Sequence, residues 1–308
     1  MGVMNTVLPY LLSGISVGGQ YALIAIGYTM VYGILRLINF AHGDVFMVAG
    51  LMMVYLSASM PLYAAIPLMV VLTVLLGFVI ERVAYKPLRT APRMSVMISA
   101  IGMSYLLQNL ALYITGGLNK NYPTLPWISD QITVLGATTK RVTVITPFLT
   151  LVLVILLVWL INHTKIGMAM RAVSRDFETA QLMGIRINSV ISVTFVIGSF
   201  LAAVGSMLYF SNYPGVVPTS GAMPGLKAFV AAVFGGIGSV PGAVVGAFII
   251  GICESVIKGL DTILKAAGLI SAPLELSTFS DAFTFVLLIV ILVFKPTGLF
   301  GEKTTDKV

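Results

Sequence analysis

Charge is what this chain has least of. Only 9% of its 308 residues are Asp, Glu, Lys or Arg, where a water-soluble domain carries about a quarter. So few polar groups cannot cover a globule of this size, which excludes a soluble fold. Cysteine is almost absent too. The lone Cys253 lies in an apolar stretch, cannot form an intrachain disulfide, and reads as an inert core thiol. With two histidines, His42 and His163, it leaves too few ligands for a structural or catalytic zinc. No G-x-x-x-x-G-K-[ST] loop occurs anywhere, so ATP is not bound by that motif. No basic region precedes the first apolar stretch, which at 7–35 is too long for a signal peptide and reads as the first membrane segment. His42 has Asp44 nearby but no neighbouring Ser or Cys nucleophile, and Ser239 would have to reach it across the fold, so a membrane enzyme is disfavoured.

What is present is apolar length. Hydrophobic residues make up 58% of the chain and mean hydropathy is +1.02. Charge-poor segments fall at 7–35, 45–60, 61–80, 96–116, 146–161, 190–211, 228–257 and 279–294. A membrane-crossing helix needs about 20 such residues. The blocks do not alternate as strands of a barrel would. The fold class is therefore all-α: a polytopic helical membrane protein of about eight hydrophobic segments.

The net charge of +7 is concentrated in short connectors rather than spread for nucleic acid. Loop 81–95 carries Arg82, Lys86, Arg89 and Arg93, loop 162–189 carries Lys165, Arg171, Arg175 and Arg186, and the tail carries Lys295, Lys303 and Lys307. Positive-inside counting places all three in the cytoplasm. Connectors 117–145 and 212–226 are then external. The tail returns to the cytoplasm only if 228–257 does not cross as one span. Its centre, Gly235-Gly236-Ile237-Gly238-Ser239-Val240-Pro241-Gly242, is a poor helix, since interior Gly costs about 1 kcal/mol and Pro about 3. The segment reads as a half-helix in, a break, and a helix back out. Asn39-Phe40-Ala41-His42-Gly43-Asp44 interrupts the first two apolar blocks in a similar way. Broken segments at corresponding places in two halves point to a transport pathway, with two ordinary loops as the plainer alternative.

Loop 162–189 lacks Pro and Gly from Met168 to Met183, so a helix is allowed, ending at Gly184. Val173, Phe177, Ala180 and Gly184 share one face, with Arg171, Arg175 and Glu178 beside it. Such a helix either lies in the membrane interface or inserts into a groove on a cytoplasmic partner.

Leu37-Ile38-Asn39-Phe40-Ala41-His42-Gly43-Asp44, the glycine run 235–242 preceded by Phe234, the stretch Tyr21 to Gly33, and Lys295-Pro296-Thr297-Gly298-Leu299-Phe300-Gly301 resemble the signature stretches of branched-chain amino acid permeases, membrane subunits of ABC importers. The resemblance runs from about residue 10 to residue 301 and is to the shorter of the family's two permease types. It implies one transmembrane permease domain over 1–308 in a bacterial-type inner membrane. It also implies a second, longer permease, two ATPase subunits and an extracytoplasmic binding protein as partners, and no cofactor. The stretch 171–185 is similar to the coupling motif of such importers, marking Arg171, Arg175, Asp176, Glu178, Ala180, Gly184 and Ile185 as ATPase-coupling residues. Asp176 and Ala180 stand where the strictest motif has Glu-Ala-Ala.

The expected substrate pathway comprises Asn39, His42, Gly43 and Asp44 with Gly235, Gly236, Gly238, Ser239, Pro241 and Gly242. Helix N-termini suit a zwitterion's carboxylate and freed carbonyls its ammonium. Alternatively Asn39 and Asp44 cap helices, and the glycines only let helices pack closely. Glu254 faces the pathway or pairs with Lys258 at i+4. Two other functions stay open: a permease for urea or short amides, and an ion-coupled transporter working alone. Asp44 and Glu254 are its chief intramembrane carboxylates.

Overall fold

A computed structural model of the chain describes residues 2–89, 91–134, 137–266, 276–295 and 297–301. Lys303 and Lys307 of the basic tail, and Pro296 of the last motif, lie outside them. Nearly every apolar block is helical, because backbone in lipid must pair its N–H and C=O groups within its own segment. The helices are α1 Gly2–Leu35, α2 His42–Ser59, α3 Leu62–Ile80, α4 Arg93–Thr115, the single turn α5 Pro126–Ser129, α6 Arg141–His163, α7 Lys165–Arg175, α8 Phe177–Leu182, α9 Ile187–Asn212, α10 Ala222–Gly235, α11 Val240–Ala266 and α12 Ser280–Phe294. A π-turn at Glu81–Tyr85 and a 3-10 turn at Lys86–Leu88 prolong α3. Among the described residues eight helices are long and apolar enough to cross a membrane: α1, α2, α3, α4, α6, α9, α11, and α12 taken with the 3-10 turn Leu276–Phe279 that leads into it. Strand is confined to short antiparallel pairs in the connectors, β1 (Lys120–Asn121) with β4 (Gly215–Val216) and β2 (Gln131–Val134) with β3 (Ala137–Lys140).

The axis of the bundle is α1, one unbroken helix through 7–35. Residues 21–26 are almost wholly buried among α11, α9, α10 and α6. Small residues let it touch α11 backbone to backbone: a Cβ at Gly14 would sit 2.7 Å from the Cα of Ile252. In contrast α4, α6 and α12 form a rim with most of their apolar side chains outward, as lipid-facing helices do.

Inside the bundle α10 is apolar but too short to cross. The 14 residues of α10 rise about 21 Å, less than the ~30 Å hydrocarbon core. A turn at 236–239 follows, and α11 runs back. The expected break is present, but it lies at the basic end beside residues 299 and 300, so 228–257 is not the predicted segment that turns back without crossing. With 27 residues, α11 rises about 40 Å and suffices to cross alone. Gly236 makes the break, with φ 105°, a conformation essentially reserved to glycine.

The loop at 162–189 corrects a second expectation. Residues 168–183 are two helices, not one. At Asp176 the backbone is extended (φ −154°, ψ 115°), and its carboxylate accepts from the N–H groups of Glu178 and Thr179 at 2.9 and 3.1 Å. A fresh N-cap outcompetes continuation of α7, as an Asp side chain bonding its own backbone does. The predicted shared face is split. Val173 and Ala180 are buried, while Phe177 is 37% exposed and Gly184 ends α8 in open space at φ 81°.

Loops 81–95 and 162–189 and residues 297–301 gather at one end. Arg89 bonds both Glu81 and Asn188 there, and Arg36 donates to the Ser174 carbonyl at 3.5 Å. The opposite end is made by 116–140 and 212–221, joined through β1 and β4.

Candidate functional site

Charges inside a bundle of this composition must be paired or wetted. Toward the end opposite the basic loops they converge on a cavity of about 220 Å³. On α11, Glu254 and Lys258 lie one turn apart on the same face, and the predicted ion pair is present at 2.5 Å. A second cation, Lys227 of α10, reaches the same carboxylate oxygen, Oε1, at 2.7 Å and the Asp281 carboxylate of α12 at 2.6 Å. The other oxygen, Glu254 Oε2, accepts from the Tyr21 hydroxyl of α1 at 2.9 Å. Lys227 and Glu254 are buried, whereas the Lys258 and Asp281 side chains are 47% and 42% exposed. Val17, Tyr209, Tyr213, Met223 and Pro224 complete the wall. Four helices thus meet through one carboxylate and its partners. Glu254 and Lys258 were legible from their spacing. Lys227, Asp281 and Tyr21 were missed, although Lys227 stands out in sequence as the only charge between Arg186 and Glu254.

The predicted pathway residues divide into two groups. At the first, the start of α2 meets the start of α10 inside the bundle. His42 is buried, its ring edge-on to Tyr28 with centroids 5.1 Å apart and packed over Gly27 of α1, and its Nε2 has no partner among the described residues. Gly27 is eight residues before the end of α1, so α2 begins about 12 Å inside the basic end. A Cβ at Gly43 would lie 2.7 Å from the Gly221 carbonyl oxygen. The break in space that faces α2 is therefore at Gly221, not at Gly242 as the sequence match had it. Neither Asn39 nor Asp44 caps α2, whose N-cap is Ala41 without a side-chain bond. Instead Asn39 Oδ1 accepts from the Tyr85 hydroxyl at 2.7 Å. Asp44 accepts from Ser104 at 2.5 Å and Gln108 at 3.0 Å, both on α4.

The second group, Gly235, Gly236, Gly238, Ser239, Pro241 and Gly242, lies at the basic end against the last described residues. The N–H groups of Leu299 and Phe300 donate to the carbonyls of Phe234 and Gly235 at 2.9 Å each. The C-terminal motif thereby fills orphan acceptors that end α10. Beside it stands the α7–α8 loop. Arg171 turns back to Asn162 of α6 at 2.9 Å, Ala180 is buried, and Arg175 and Glu178 are exposed. Next to them Leu182 and Met183 are 87% and 79% exposed, an apolar tip among charges that sequence reasoning did not single out.

Eight membrane-crossing helices, two helices that start inside the bundle, and a charged cavity between them define a membrane transport component. The chain belongs to the family described as "Branched-chain amino acid transport system / permease component", whose model matches residues 10–292. It is 37% identical to the high-affinity branched-chain amino acid transport system permease protein BraD of Pseudomonas aeruginosa, over 98% of each chain. It is 38% identical to the permease protein LivH of the corresponding system of Escherichia coli, over 98% of this chain and 97% of that one. Among solved structures, an inward-facing ABC transporter assigned to the metal-chelate type aligns over 94% of this chain and 87% of its own, with 16% identity and a TM-score of 0.48.

Proposed function

We propose that this permease admits branched-chain and other hydrophobic amino acids to the cytoplasm as part of an ABC importer. One observation carries the reading: the kinship with branched-chain permeases spans 98% of the chain, so the cavity and both ends fall within it. The chain works as a single domain over 1–308 in the inner membrane, with its basic loops and tail cytoplasmic, beside a second, longer permease. A binding protein delivers substrate at the opposite end. Two ATPase subunits take hold of the α7–α8 loop. The exposed tip at Leu182 and Met183 enters a groove on the ATPase, helix-in-groove fashion. Arg175, Glu178 and Gly184 border it, and Arg171, Asp176, Ala180 and Ile185 hold its shape. Substrate passes the crossing at Asn39, His42, Gly43 and Asp44. The turn formed by Gly235, Gly236, Gly238, Ser239, Pro241 and Gly242 closes the basic end.

Reconstituting the complete importer in liposomes tests this. ATP-dependent uptake of leucine, isoleucine and valine is expected, unaffected by excess urea or short amides. Leu182→Glu with Met183→Glu is expected to lose ATPase co-purification and uptake. Uptake of urea in preference to leucine, or leucine uptake by this chain without nucleotide, would overturn the reading.

A further inference from the structure

We propose that the cavity between α1, α9, α10 and α11 binds the zwitterionic head of an α-amino acid. Lys258 and Lys227 take its carboxylate, Asp281, which reaches the lining through its bridge to Lys227, its ammonium, and Val17, Met223 and Pro224 its aliphatic side chain. The assignment rests on the amino-acid permease reading and gives it a place. A volume of about 220 Å³ has room for several waters, the scale of one small amino acid. Its lining combines the charged Lys227, Glu254 and Lys258 with Val17, Met223, Pro224 and three tyrosines, so it offers both charge and apolar surface, as a leucine or valine does.

Charge balance sets the specificity. Lys227, Lys258, Glu254 and Asp281 sum to zero, two cations against two anions. A zwitterion adds no net charge to this network, whose centre, Lys227 and Glu254, is buried. A lone anion or cation leaves one charge uncompensated beside that buried pair, which is costly away from water. The valences that remain say which groups bind. Glu254 is committed, one oxygen to both lysines and the other to Tyr21. It positions the lysines. An ammonium has three donors, and among the described residues Lys258 makes one bond, to Glu254, with its side chain 47% exposed. The Lys227–Asp281 bridge, 2.6 Å long with Asp281 42% exposed, is the one a zwitterion can replace: substrate carboxylate on Lys227, substrate ammonium on Asp281. An intramembrane charge cluster is expensive to keep and marks a solute path, and this one lies in the half of the bundle away from the basic end.

The test uses the purified permease–ATPase complex in nanodiscs without binding protein, so that only the membrane site selects. Equilibrium binding of radiolabelled leucine is competed with 4-methyl-2-oxopentanoate, which lacks the ammonium, and 3-methylbutylamine, which lacks the carboxylate. In the unaltered complex valine competes and neither analogue does. Asp281→Asn leaves the network one charge positive, and the oxo acid should gain at least tenfold relative to leucine. Lys258→Gln leaves it one charge negative, and the amine should gain likewise. Asp281→Glu should restore the preference for the zwitterion. A purely structural ion network would move none of these ratios. Unshifted ratios in both variants, with ATP-driven leucine uptake intact in the complete system, overturn the cavity assignment alone. Absence of leucine uptake by the complete system overturns the permease reading itself.

Discussion

At Gly43 the start of α2 rests on the backbone of α10. A Cβ there would sit 2.7 Å from the carbonyl oxygen of Gly221 and 3.1 Å from the Cα of Gly225. Neither atom can swing aside as a side chain does. Gly43→Ala is therefore expected to destabilise the solubilised protein by about 1–3 kcal/mol, the usual range for overpacking. Gly102, on the outer side of α4, has nothing within 4 Å of its added Cβ. Gly102→Ala should stabilise by about 0.5–1 kcal/mol through helix propensity. Thermal unfolding measures both, and shifts of the same sign would refute the contact argument. A second residue-scale effect is electrostatic. The Thr179 hydroxyl, 2.6 Å from Asp176, holds that carboxyl below the usual carboxylate range, helped by the N–H groups of Thr179 and Glu178. A depressed pKa supports the folded loop above its unfolded value of about 3.9. That support is lost as pH falls through the lower, folded value. Hydrogen-exchange protection over 177–182 should stay level from pH 7 to about 5 and decline below about 4. Asp176→Ala should lack it already at neutral pH. Asp176→Asn keeps the cap acceptor and should flatten the pH response.

Elements in this fold end where backbone groups find partners outside their own helix. The carbonyls of Phe234 and Gly235 are satisfied by Leu299 and Phe300, more than 60 residues away in the chain. Ending the chain after Lys295 should expose them at a packed surface and cost about 1–3 kcal/mol for each. The expected sign is earlier proteolysis near 236–239 and a lower melting temperature. A truncated chain as stable as the full one would assign the motif no capping role. Such long-range partners also explain what could be read in the sequence. Spans follow from apolar length, so seven of the eight crossing helices were legible; α11 was not, because the glycine run ahead of it reads as a segment that turns back. The break at 236–239 was legible because glycine and proline act on their own backbone. The end of α7 was not, because its cause is a short Asp side chain bonding two residues ahead, and no missing helix former announces it. At the site, Glu254 and Lys258 were visible as an i, i+4 pair. Lys227, Asp281 and Tyr21 come from three other helices, and only packing brings them together.

Across the whole molecule, α1 joins the two places where energy and substrate are handled. Just past its end Arg36 donates to the Ser174 carbonyl of α7 at 3.5 Å, and 15 residues back, within α1, Tyr21 donates to Glu254. These contacts are about 22 Å apart along an unbroken α-helix, a rod that has no hinge with which to absorb a displacement of α7 and α8. Arg36 is the one non-glycine residue with positive φ, 54°, among the described residues. A conformation of that kind costs about 1–3 kcal/mol and persists where surrounding structure enforces it. Glycine adopts it freely, so Arg36→Gly separates the turn from the side chain. The variant should fold at least as stably as the parent, since strain is relieved while the turn is kept. It should also import two- to fivefold less leucine per ATP hydrolysed, since the one polar tie from Arg36 to the α7–α8 loop is gone. Uptake and ATPase activity measured on the same proteoliposomes give that ratio directly. A stable Arg36→Gly protein with unchanged transport per ATP would mean that force from the loop reaches the cavity by another route. Two direct ones remain: the packing of α1 itself on α7, and α9, which packs against both α7 and α8 and carries Tyr209 of the cavity wall.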